Sequence, residues 1–180
     1  MLRAISIAIL TGVGALAMAQ PLNATGWQLV TEHATFTPRD TAEDAVFQGK
    51  MWISNAYHVG GTLVRDLWNS SDGVNWTKVL DQTPFRARGY GECVVFQDKI
   101  WQLGSGRDIW NSSDGVTWNC VLPEAPFGSR WASAVAVFAG KLWLCGGCIQ
   151  TPSEPPEKHY PKFTTYNDVW SSPDGVTWTR

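Results

Sequence analysis

The eleven-residue pattern D-[LIV]-W-[NS]-S-[SP]-D-G-V-[NT]-W occurs three times in this chain. No other feature restricts its fold so strongly, because self-similarity at a fixed spacing marks a repeat architecture. The copies run from Asp66 to Trp76, Asp108 to Trp118 and Asp168 to Trp178. A second pattern, F-x-[GD]-K-[MIL]-W, begins at Phe47, Phe96 and Phe138, and a third, F-x-x-R, at Phe36, Phe85 and Phe127. Trp27 to Phe47, Trp76 to Phe96 and Trp118 to Phe138 are each 20 residues apart, and each F-x-x-R leads the next phenylalanine by 11. Only one interval varies, at 14, 7 and 25 residues for Trp52–Asp66, Trp101–Asp108 and Trp143–Asp168. A constant frame packs, and a single variable segment gathers as loops on one face.

Each unit reads as four short strands, here called a to d. Strand a is alternating or small, as in 132–138, and ends in a two-residue tight turn (Gln48-Gly49, Gln97-Asp98, Ala139-Gly140). Strand b carries the next tryptophan, strand c opens on the repeated aspartate, and an Asp-Gly turn leads to strand d at the closing tryptophan. Antiparallel four-stranded meanders at this period predict an all-β fold of β-propeller blades. The units span about 36–79, 85–121 and 127–180, and Trp27-Gln28-Leu29-Val30 matches an isolated leading strand d. Propellers usually hold four to eight blades, so three units make an incomplete ring with open strand edges. The expectation is a partial chain of a longer protein, the alternative being that copies assemble.

The chain resembles the kelch superfamily, including the central domain of galactose-oxidase-like proteins, over nearly all of residues 20–180. The residues that carry the resemblance are Arg130 before strand a, Gly146-Gly147 after strand b, Asn167-Asp168-Val169-Trp170 into strand c, and the closing Trp76, Trp118 and Trp178. The S-x-D-G-x-x-W turns also look like shortened Asp-boxes of sialidase-type propellers. The resemblance implies a binding or interaction module, with a glycan-active, sialidase-like hydrolase as the alternative.

The N-terminus reads as a targeting segment: Arg3, an apolar run from Ala4 to Leu16, then Ala17-Met18-Ala19. Small residues flanking the site predict a signal peptide over 1–19, cleaved to leave Gln20. The run is too short to span a bilayer comfortably, and no other stretch is apolar enough. A secreted, periplasmic or extracellular location follows as an expectation, which makes cysteine pairing relevant. Cys145 and Cys148 form a C-x-x-C that is either a local disulfide or two free thiols, and it is too small a set for structural zinc. Cys93 and Cys120 fall in the innermost and outermost strands of one sheet, beyond disulfide reach. A net charge of −2 gives nothing for nucleic acid to bind.

Ten of the eleven tryptophans sit on the repeat frame and read as packing residues. Trp131 alone is off the frame. Candidate ligand-binding residues lie on the face carrying the b–c and d–a loops: Arg39, Arg88 and Arg130 at equal offsets, Tyr57 and His58, Tyr90, Glu92, Trp131, and His159 and Tyr160. Equal offsets suggest arginines approaching one another around an axis, neutralised by Glu43, Glu92 and Asp40 or by an anionic ligand, unless they are framework groups bonding loop carbonyls. The ligand expected is a protein or glycan, anionic if those arginines are offered to it. The segment 148–167 reads as a long loop, functional or disordered. The sequence contains no nucleophile elbow, phosphate loop, cofactor motif or metal-ligand spacing, and a sialidase-like part for Tyr90 as nucleophile with Glu92 as base is the only catalytic casting available.

Overall fold

The computed structural model describes residues 26–58, 60–151 and 162–180. The chain divides into two compact units, 1–32 and 33–180. The signal-peptide reading lies outside the described residues. Of the first unit, residues 26–32 are described; residues 27–30 lie in no strand, and Trp27, Leu29 and Val30 are exposed. The predicted leading strand is therefore corrected. A strand exists through its ladder, and every c strand in 33–180 pairs on its outer side with residues of its own unit.

Residues 33–180 are all-β, with no helix among the described residues. The first repeat unit holds β1 (Arg39–Asp40), β2 (Glu43–Phe47), β3 (Lys50–Ser54), β4 (Tyr57–His58), β5 (Thr62–Leu63), β6 (Leu67–Ser70) and β7 (Thr77–Leu80). The second holds β8 (Glu92–Phe96), β9 (Lys99–Leu103), β10 (Ile109–Ser112) and β11 (Asn119–Leu122). The third holds β12 (Ala134–Phe138), β13 (Lys141–Cys145), β14 (Cys148–Thr151), β15 (Lys162–Thr165) and β16 (Val169–Ser172). Strands β2-β3-β6-β7 and β8-β9-β10-β11 form two antiparallel four-stranded meanders. The third sheet, β12-β13-β16, has three strands rather than the expected four, its strand d being a single bridge between Ser171 and Thr179.

The repeat is equally regular in its turns. Ser70, Ser112 and Ser172 each accept from the amide of the turn glycine through Oγ, at 2.8 Å. Asp72, Asp114 and Asp174 each accept through Oδ1 from the backbone amides two and three residues further on. For Asp114 and Asp174 these bonds, led by that from Thr117 and from Thr177, hold the carboxyl at about 2. Local side-chain-to-backbone bonding of this kind favours a turn over continued strand, which explains why S-x-D-G recurs where each meander folds back.

The innermost strands β2, β8 and β12 lie against one another in succession. Two apolar clusters fill the spaces between consecutive sheets. One joins Phe47, Trp52 and Leu67 to Phe85, Ile100 and Trp118. The other joins Phe96, Trp101 and Ile109 to Phe127, Leu142 and the half-buried Trp178. The fixed spacing is thereby explained: each frame residue meets its counterpart across a junction, and burying a large aromatic side chain is worth on the order of 2–3 kcal/mol.

Candidate functional site

The variable b–c segments of the first and third units carry paired strands, whereas the short one of the second is joined to the next d–a connection by a single bridge, Gly106 to Arg130. In the first unit β4 and β5 pair with each other, and β4 pairs with β1 from the preceding d–a connection. In the third, β14 pairs with β15, so the two ends of 148–167, expected as part of a long loop, are paired strands; residues 152–161, including His159 and Tyr160, lie outside the described residues. Gly146 and Gly147, both at positive φ, carry the chain out of one sheet and into the other. Cys145 ends β13 while Cys148 begins β14, and all four cysteines are free thiols. Of the two alternatives for this C-x-x-C, the structure has the thiols.

The three arginines are framework groups. Arg88 donates through both terminal nitrogens to Asp108, at 3.0 and 3.1 Å, and also to the carbonyls of Ser105 and Arg86. Arg39 holds Asp66 in the same fork at 2.8 and 3.1 Å, and Arg130 holds Asp168 at 2.6 and 3.2 Å. Each guanidinium lies over the phenylalanine of its own F-x-x-R, at 5.3 to 5.7 Å. The same aspartates accept from the indoles of Trp68, Trp110 and Trp170 at 2.7–2.8 Å. Burial by itself would raise the Asp66 and Asp108 carboxyls, but the hydrogen bonds from arginine and tryptophan outweigh it and hold both below the usual range. For Asp168 the bond from Arg130 leads, and the carboxyl sits at about 2. The counterions are thus the repeated aspartates, not the glutamates or Asp40. A fork of two parallel bonds per arginine is the strongest form of this pairing, and it occupies the groups that sequence reasoning offered to an anionic ligand.

What the loop face does present is a row of aromatic rings. Tyr57 and Tyr90 lie 6.0 Å apart, Tyr90 and Trp131 5.5 Å, and Trp131 and Phe163 5.6 Å, all tilted or edge-on. Tyr57 comes from the first unit's hairpin, Tyr90 and Trp131 from the next two d–a connections, and Phe163 from β15. Two cavities open along the row. One, of about 640 Å³, is lined by Tyr57, Tyr90 and Trp131 with Arg86, Arg88 and Arg107 among its polar groups. The other, of about 540 Å³, shares those three rings and adds Arg39, Asp40 and His58. Arg130 and Glu92 line neither, and no described hydrogen bond joins Tyr90 to Glu92.

Local backbone sets these rings in place. Tyr90 has φ 59°, and the residues in the same position of the other units, Thr41 and Ala132, have 53° and 54°. This left-handed turn costs a non-glycine residue roughly 1–2 kcal/mol, and in the second unit it carries a half-exposed tyrosine. Gly89 makes the neighbouring space: a Cβ there would stand 2.8 Å from the Tyr57 ring. Trp131 is fixed by a reciprocal backbone pair with Cys148, at 3.0 and 2.9 Å. Sequence reasoning found Tyr57, Tyr90 and Trp131 but missed Phe163, Arg86 and Arg107. Being off the repeat frame is the signal that separated Trp131 from the packing tryptophans; Phe163 sits in the variable segment, where no frame gives its position.

No protein-family model matches the chain, nor does any curated protein. Solved structures do match, among them that of YjhT, with a TM-score of 0.59 at 13% identity over 79% of this chain. At that identity the likeness speaks to the fold alone. The chain spans 51% of that structure's length.

Proposed function

We propose that this chain is a set of kelch-like β-propeller blades from an exported binding module, and that the aromatic row on its loop face binds a carbohydrate. One observation carries the reading: Tyr57, Tyr90 and Trp131 line cavities of about 640 and 540 Å³, and Phe163, packed on Trp131, extends the row. Cavities of this size lined by aromatic rings with a few polar groups are the usual form of a small-ligand site. Sugar rings suit it because their C–H faces lie against aromatic surface while their hydroxyls reach Arg86, Arg107 and backbone carbonyls at the rim. The blade reading is supported by the repeated meanders and by inner strands that lie side by side. Export is supported by the residues of 1–19.

The test is a glycan panel scored by tryptophan fluorescence and calorimetry on the 180-residue chain. A bound sugar should quench emission, and Trp131→Ala should weaken it at least tenfold with little change in melting temperature. Binding that survives both Trp131→Ala and Tyr90→Ala, or a panel with no binder, overturns the reading.

A further inference from the structure

The two cavities on the loop face meet at one set of rings. Tyr57, Tyr90 and Trp131 line both the space of about 640 Å³ and that of about 540 Å³. Tyr90 stands in the middle of this shared wall, 6.0 Å from the Tyr57 ring and 5.5 Å from that of Trp131, with 44% of its surface open to solvent. Its backbone is pinned on both sides. Ser105 Oγ donates to the carbonyl of Gly89 at 2.9 Å, and the amide of Ala132 donates to the carbonyl of Tyr90 at 2.9 Å. A surface ordered before its ligand arrives gives up less freedom on binding.

The two spaces differ in charge. Arg86, Arg88, Arg107 and Asp108 line the larger. Arg88 and Asp108 neutralise each other. Arg86 is exposed and makes no ion pair among the described residues. Arg107 reaches Glu124 at 3.6 Å, but the two side chains are 59% and 71% exposed, and a pair so open to water holds its members weakly. Two guanidinium groups are thus on offer in the larger cavity. The smaller is lined by Arg39, Asp40 and His58. Arg39 is taken by Asp66, which leaves the Asp40 carboxylate to set the sign there. An acidic group is drawn to the first space and repelled from the second.

We infer that the site takes a linear acidic oligosaccharide rather than a single sugar, laid across Tyr90 with a carboxylate-bearing unit in the larger cavity and an uncharged unit in the smaller. The inference rests on the carbohydrate reading above and adds length, charge and direction to it. A guanidinium meets a carboxylate through two parallel hydrogen bonds, and its weak hydration favours that exchange. Asp40 and His58 offer hydrogen-bonding atoms to the hydroxyls of the uncharged unit, while the Asp40 charge turns away a second acid. Linking two units makes the second contact intramolecular, so the chain gains more than either unit alone.

The probe is a tetrasaccharide of alternating glucuronate and N-acetylglucosamine, titrated into the 180-residue chain by calorimetry. Beside it stand the same tetrasaccharide with its carboxylates reduced to alcohols, and the two monosaccharides. The tetrasaccharide is expected to bind about a hundredfold more tightly than either monosaccharide, and reduction to cost about tenfold. Arg86→Gln combined with Arg107→Gln should bring the acidic and reduced forms to equal affinity. Tyr90→Gly should remove the advantage of the longer chain; glycine adopts the left-handed turn without penalty, so this variant should keep the parent's circular dichroism. Monosaccharides that bind as tightly as the tetrasaccharide, a reduced form that matches the acid, an acid preference that survives the double arginine variant, or a tetrasaccharide that does not bind overturns the inference. Other glycans binding in that last case leave the carbohydrate reading standing, whereas a panel with no binder overturns both.

Discussion

Replacing Glu43 with glutamine should abolish a fall in stability between pH 4.5 and about 7. Glu43 opens β2 and is 1% exposed. Asn55 Nδ2 donates to it at 2.6 Å and Gln102 Nε2 at 3.1 Å. Burial pushes its carboxyl up from 4.5 to about 7, even though Arg88 and the two amides pull the other way. Over that interval the unfolded chain has released this proton while the folded chain keeps it. The unfolded state then binds fewer protons, so stability declines as pH rises. At about 1.4 kcal/mol per pH unit, the decline amounts to about 3 kcal/mol and is complete above pH 7. Asn55 Oδ1 and Gln102 Oε1 are buried with no donor; turning either amide over would let the protonated carboxyl donate to it, and a glutamine at 43 could do the same. Glu92, also raised by burial, adds a slope of the same sign that the comparison with Glu43→Gln cancels. Urea unfolding of both proteins from pH 4.5 to 8 measures the difference. Equal pH slopes in the two proteins, or a parent that gains stability relative to Glu43→Gln as pH rises, would refute the argument.

Arg88→Met should lower stability by roughly 1–3 kcal/mol, since it leaves the half-buried Asp108 carboxylate with only the Trp110 indole and removes the donor to the Ser105 and Arg86 carbonyls; urea unfolding showing no loss would make Arg88 a free binding group. Trp101→Ala should cost about 3–5 kcal/mol, and Trp110→Ala less, because Trp110 is half-buried against Phe85 at 5.8 Å rather than enclosed; the order of the two denaturation midpoints decides. Gly115→Ala should destabilise far more than Gly128→Ala. Both stand at positive φ and share a cost of about 1–2 kcal/mol, but only Gly115 abuts the Trp52 ring while Gly128 has nothing within 4 Å. Equal melting temperatures for the two variants would mean the junction relaxes freely.

The repeat was legible in the sequence because its residues act locally or against identical neighbours. S-x-D-G folds into the same turn wherever it occurs, since its hydrogen bonds reach no further than three residues. Tight two-residue turns fix the register of strands a and b, and the constant 11- and 20-residue intervals announce that each phenylalanine and tryptophan meets an equivalent partner. All-β architecture, the unit boundaries and the packing role of most tryptophans follow from that. The partner of each arginine did not follow, because Arg39 and Asp66 are 27 residues apart and Arg130 and Asp168 are 38, across the one interval whose length varies. Only the folded chain brings them together, and once together they neutralise each other and leave the loop face to its rings. The row from Tyr57 to Phe163 was likewise decided by tertiary structure: two of its members hang from hairpins in variable segments, and no spacing rule says where a hairpin of arbitrary length will lean. Exposure of Phe138 against burial of Phe47 and Phe96 is the last such case, for three residues at the same position of the repeat differ in whether another sheet stands in front of them.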